Sequence, residues 1–108
     1  MTQKPLTYYV SVSPAVQDLI DTYGPCLEGM LLDEKLLVIQ CISGALMDGM
    51  VDSDFGFSIE AQVLERVKNG YAVSLRLERS LKMLDACNKP QCFALLIALA
   101  AYSCEDYM

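Results

Sequence analysis

Apolar residues along the chain recur mostly at helical spacing, and proline, glycine and short polar stretches cut the pattern into five helical segments behind an extended start. After Pro5, Tyr8, Val10 and Val12 alternate with Tyr9 and Ser11, a period of two that predicts an extended arm or edge strand over residues 1–12. Such an arm is a means of reaching a neighbouring subunit. Ser13-Pro14 then offers a side-chain cap and a proline at the first helical position, where a missing N–H costs nothing, and Gly24-Pro25 stops this first helix after Tyr23.

Asp33, read as the next N-cap, opens a second helix over Lys35 to Val51. It is apolar almost all round, leaving only Gln40, Ser43, Gly44 and Asp48 to face water, which predicts a central position. Gly44 is expected to let another backbone come close. Ser58 caps a third helix that carries Ile59, Val63 and Val67 on one side, reaches Lys68 and stops at Asn69-Gly70.

The segment from Tyr71 to Cys87 carries two periods at once. Tyr71, Val73, Leu75 and Leu77 alternate as in a strand, whereas Leu77, Leu81 and Leu84 continue a helical stripe. Glu78 with Lys82 and Asp85 with Lys89 are correctly oriented i,i+4 pairs, which favours the helix. Lys89-Pro90 breaks the chain, and a fifth helix runs from Gln91 to about Ser103, also apolar on every side. Ala94, Ala98 and Ala101 fall on one side of it, where small residues permit close helix packing.

These segments predict an all-α fold, a compact four- or five-helix bundle in one domain over 1–108, with a short extended N-terminal arm and the second and fifth helices at its centre. The competing architecture is α+β, with short strands near 7–12 and 71–78. A hydrophobic content of 54% agrees with a packed core. Two helices apolar all round exceed what so small an interior can hold, so some of that surface is expected to meet another subunit. The expectation is a homodimer with Phe93, Ala94, Ile97, Ala98 and Ala101 at its interface, and the N-terminal arm or an acidic face presented to a protein partner.

Charge narrows the partners further. A net charge of −6 argues against nucleic acid and anionic membrane surfaces. Residues 1–60 hold two basic and nine acidic side chains, residues 61–104 six basic and three acidic, so the two parts are expected to neutralise each other within the fold. The longest apolar stretch, Cys92 to Tyr102, is far short of the roughly 20 residues that span a bilayer. The first residues do not resemble a secretory signal, and five cysteines make an odd number, both of which point to a reduced, cytoplasmic protein.

Candidate chemistry is sparse. Histidine is absent, which removes the commonest general base and metal ligand, and no phosphate-binding glycine loop or dinucleotide fingerprint is present. Cys92, in the first turn after Pro90 and near Lys89, is the best-placed thiol, and Cys87 with Cys92 brackets a turn as a redox pair or half a zinc site. Buried structural thiols are the expectation. Asp48, Asp52, Asp54 and Glu60 form the densest acidic group, but a calcium loop counted from Asp52 puts Phe57 where glycine belongs and Val63 where the closing glutamate belongs. No metal, cofactor or enzymatic activity is therefore expected. The leading reading is a small non-enzymatic interaction or regulatory protein, and the second a helical domain binding a small molecule in an apolar pocket lined by Met30, Met47, Met50 and Met83.

Overall fold

A computed structural model describes residues 3–51 and 58–108, and the side chains of all of these except Met50 and Val51. Among the described residues there are six helices and no strand: α1 (Leu6–Tyr9), α2 (Pro14–Tyr23), α3 (Leu32–Val51), α4 (Ile59–Lys68), α5 (Leu75–Leu84) and α6 (Lys89–Tyr107). The architecture is an all-α bundle, five helices of ten residues or more preceded by a single turn.

That single turn corrects the expected N-terminal arm. Leu6 and Val10, one helical turn apart, both enter the core, and the Leu6 N–H donates to the Pro25 carbonyl oxygen at 2.7 Å. Tyr8 and Val12, the residues whose alternation suggested a strand, face solvent instead. A spacing of four fixed the burial here, where a spacing of two had been read. The segment is therefore part of this chain's own interior.

Caps set most helix boundaries. Ser13, Ser58 and Ser74 each accept from a backbone N–H in the first turn of the helix they precede, at 3.3, 3.1 and 3.2 Å. Ser74 starts α5 only after residues 71–74 have passed in irregular form, so the segment is neither strand nor helix until its hydroxyl is reached. Asp33 is not the cap of α3. The helix begins at Leu32, and Glu34 reaches back to accept from the Leu31 N–H at 2.9 Å.

Antiparallel neighbours build the bundle. The N-terminal end of α4 lies against Asp48 near the end of α3, where Gln62 donates to the Asp48 carboxylate, and Arg66 returns to Gln40 at 3.2 Å. A Cβ on Gly44 would stand 2.5 Å from the Gln62 Oε1, so this glycine seats a side-chain amide rather than a second backbone. Asp18 on α2 accepts from the buried Ser80 hydroxyl on α5 at 2.9 Å and lies 3.9 Å from Arg79. Charges of the acidic first part and the basic second part thus meet inside one fold.

The start of α4 has a second cap that the sequence pattern does not announce. Asp85, just past α5, accepts from the N–H groups of both Ile59 and Glu60, so a carboxylate sits at the positive end of the α4 dipole. Asp85→Ala is expected to lower stability by about 1–2 kcal/mol, the usual cost of losing a cap, and Asp85→Asn by less because one acceptor oxygen remains. Urea denaturation of the two variants measures the difference.

Candidate interaction face

α6 begins at a reciprocal cap and runs for 19 residues. Asn88 accepts from the Gln91 N–H at 2.9 Å while the Gln91 side chain accepts from the Asn88 N–H at 3.0 Å, a reciprocal capping box. Pro90 fits in the first turn, so the helix begins at Lys89 rather than after the proline. It continues to Tyr107 because two contacts hold its last turns. Tyr102 donates its hydroxyl to the Lys4 carbonyl oxygen at 2.6 Å, and Asp106 forms an ion pair with Lys35 of α3. Lys35, with only 2% of its surface exposed, is enclosed beside the core at the start of α3, which shows that α3 and α6 run antiparallel.

The two sides of α6 differ sharply. Cys92, Leu95, Ala98, Leu99, Tyr102 and Ser103 are buried. Phe93 and Ile97 stand 46% and 62% exposed, and Ala100 and Cys104 are exposed behind them, at successive spacings of four, three and four. This stripe faces away from the core. On α3, the helix packed along α6, Leu36 and Met47 are exposed as well.

The expected interface residues therefore separate. Phe93 and Ile97 are outward, and Ala94 and Ala101 are half-buried. Ala98 has no exposed surface, so it belongs to the core and not to a surface another subunit can touch. α1 lies along this side of α6: Tyr9 meets the Tyr102 ring edge-on at 5.9 Å between centroids, and Ala94 lines a cleft with Tyr9 and Val10. Ala98 lies between Ala94 and Tyr102 on that same side. Ala94, at the start of the alanine stripe, thus neighbours the chain's own N-terminal segment.

Among the described residues the remaining candidates do not gather into one group. Cys87 and Cys92 are both buried and both thiols. Burial pushes the Cys92 thiol up to about 11, with Cys87 and Asp85 adding to the shift, and burial likewise raises Cys87 and Cys41. Thiols held protonated are poor nucleophiles. Asp48 bonds to Gln62, whereas Glu60 faces Lys82 at 3.8 Å, so these two acids serve different neighbours. Asp52 and Asp54 lie outside the described residues, and among those described no group of three potential ligands could hold a metal ion. Met30 is buried, Met83 half-buried and Met47 exposed, so the methionines do not line a common pocket, and Met50 is not described at the side-chain level. The grooves beside Tyr71 and beside Ala94, about 350 and about 210 Å³, are open to solvent.

Thiol accessibility gives a direct check. Cys104 is expected to react with a thiol reagent in the folded protein, and Cys41, Cys87 and Cys92 only on unfolding. The folded protein also keeps the Cys92 proton where the unfolded chain, at an ordinary 9.0, has lost it. The contribution is complete below that ordinary value and is lost as pH rises toward about 11, so stability should fall across this window. Urea midpoints measured against pH follow the fall, and Cys92→Ala should flatten part of it.

Compared with protein-family models, with curated proteins and with solved structures, the chain finds no match. Among the described residues no helix is long and apolar enough to cross a membrane.

Proposed function

We propose that this is a small non-enzymatic interaction or regulatory protein of the cytoplasm, which binds a protein partner, a second copy of itself included, through the outward stripe of α6. The observation that carries the reading is the pair Phe93 and Ile97, exposed in register with Ala100 and Cys104 on a helix whose opposite side is the core. Large apolar residues aligned in this way mark association surfaces on soluble proteins. Several further features support it. The helix is fixed at both ends by its capping box and by the Lys35–Asp106 pair, so the stripe is preorganised. All five cysteines are thiols, as suits a reducing compartment. The absence of histidine and the protonated state of the buried thiols favour binding over catalysis.

The test is in-cell photo-crosslinking with a photoreactive amino acid at position 97 and, as a control, at the exposed Leu75 on α5. Adducts with a protein from position 97 and none from position 75 are expected. Equal labelling from both positions, or none from 97, overturns the reading.

A further inference from the structure

Resting on that reading, the geometry points to a second copy of this chain as the occupant of the stripe, its α6 packed antiparallel on the first about a two-fold axis between Ile97 and Ala100. Three features of α6 argue for it.

The first is shape. The stripe is bulky in its N-terminal half, at Phe93 and Ile97, and small in its C-terminal half, at Ala100 and Cys104. Antiparallel pairing about that axis sets Phe93 opposite Cys104 of the second copy and Ile97 opposite its Ala100. Every layer then joins one large and one small side chain, so the two helices keep an even separation along the seam, as close packing requires. Parallel pairing instead stacks Phe93 on Phe93 at one end and leaves Cys104 facing Cys104 at the other, and the seam gapes.

The second is charge. Lys89 is exposed four residues before Phe93, in line with the stripe and at the positive end of the α6 dipole. The last turn has no basic residue of its own; Lys35 of α3 takes Asp106, and Glu105 stays exposed beside the negative end of the dipole. An antiparallel mate brings Lys89 of each copy to the last turn of the other. A parallel mate sets like charges together at both ends.

The third is closure. A two-fold contact uses the same patch on both copies and leaves nothing for a third, so the assembly stops at a dimer. The helix offers 19 residues, about 28 Å, for the seam.

The purified full chain tests this. Sedimentation equilibrium is expected to give twice the 12.0 kDa chain mass at micromolar concentration, Ile97→Asp to give the single-chain mass with unchanged helical circular dichroism, and Lys89→Glu to weaken the dimer about tenfold. With benzoylphenylalanine at position 93, which keeps the aromatic bulk, light is expected to link one chain to residues 103–107 of another. A single-chain mass for the wild type, a dimer that survives Ile97→Asp, or a link from position 93 to residues 89–97 of the second copy overturns the proposal. In-cell adducts from position 97 with a different protein, beside a monomeric purified chain, overturn self-pairing while leaving the interaction reading in force.

Discussion

Arginine in place of Ala98 is expected to leave the chain unfolded, whereas aspartate in place of its neighbour Ile97 leaves it folded. Ala98 has no exposed surface and is enclosed on the side of α6 that meets α1. A longer side chain there must push its neighbours apart, at about 1–3 kcal/mol for overpacking alone. Its guanidinium would also be taken from water at a position with no exposed surface, which adds several kcal/mol more. The sum approaches the whole stability of a domain of this size, about 5–15 kcal/mol. Ile97, 62% exposed, loses little on replacement. Aspartate in mid-helix costs well under 1 kcal/mol in propensity. Far-ultraviolet circular dichroism with urea titration separates the two outcomes. A stably folded Ala98→Arg protein would mean that the core does not close over this residue.

The same pair of residues shows how far the sequence could be read. The helices were legible because their caps are local: Ser13, Ser58 and Pro90 stand where a helix must begin, and Gly24 and Gly70, both at positive φ, stand where one must end. The apolar character that pairs α3 with α6 was legible from their composition, although Leu36 and Met47, counted there among the residues turned from water, are exposed. Which side of α6 faces out was not, because a helix apolar on every side has no periodic signal to say so. The side of α6 that is buried also carries α1, a four-residue turn in a segment where Tyr8, Val10 and Val12 alternate as in a strand. The stripe Phe93, Ile97, Ala100 and Cys104 has the spacing of a coiled-coil seam, and that spacing was available in the sequence but hidden among equally apolar neighbours.

Long-range polar partners were the other illegible part. Asp85 was read as an i,i+4 partner of Lys89, yet its carboxylate caps α4, 26 residues away from Ile59. Lys35 stands in the sequence only as the start of a helix, and it is enclosed against the last turn of α6. Neither fact follows from local spacing, because each depends on which helix ends the bundle brings together.

Lys35 yields the second large effect. Asp106→Ala removes the carboxylate that receives a nearly fully buried ammonium group. Leaving such a charge without its partner costs about 3–5 kcal/mol in a closed interior. Here the cost should fall to about 2–3 kcal/mol, because the Asp106 side chain is 31% exposed and water can enter as the last turn frays. Lys35→Met is the informative contrast. It keeps the length of the apolar stem and deletes the charge, so the ion pair and its desolvation disappear together and stability should stay within about 1 kcal/mol of the wild type. The double variant should behave like Lys35→Met alone, since Asp106 has nothing left to receive. Urea denaturation of the three variants tests this directly, and a Lys35→Met loss as large as that of Asp106→Ala would show that the pair itself, rather than the burial of an uncompensated charge, holds the end of α6 on α3. The association surface supplies a second readout. With Asp106 replaced by alanine, the last turn is no longer fixed, and the seam loses the order of the helix end that each copy presents to the Lys89 of the other, so dimerisation should weaken even where the monomer remains folded. Lys35→Met loses the same ion pair but leaves no buried charge to draw water into the end of α6, so dimerisation should weaken less than in Asp106→Ala.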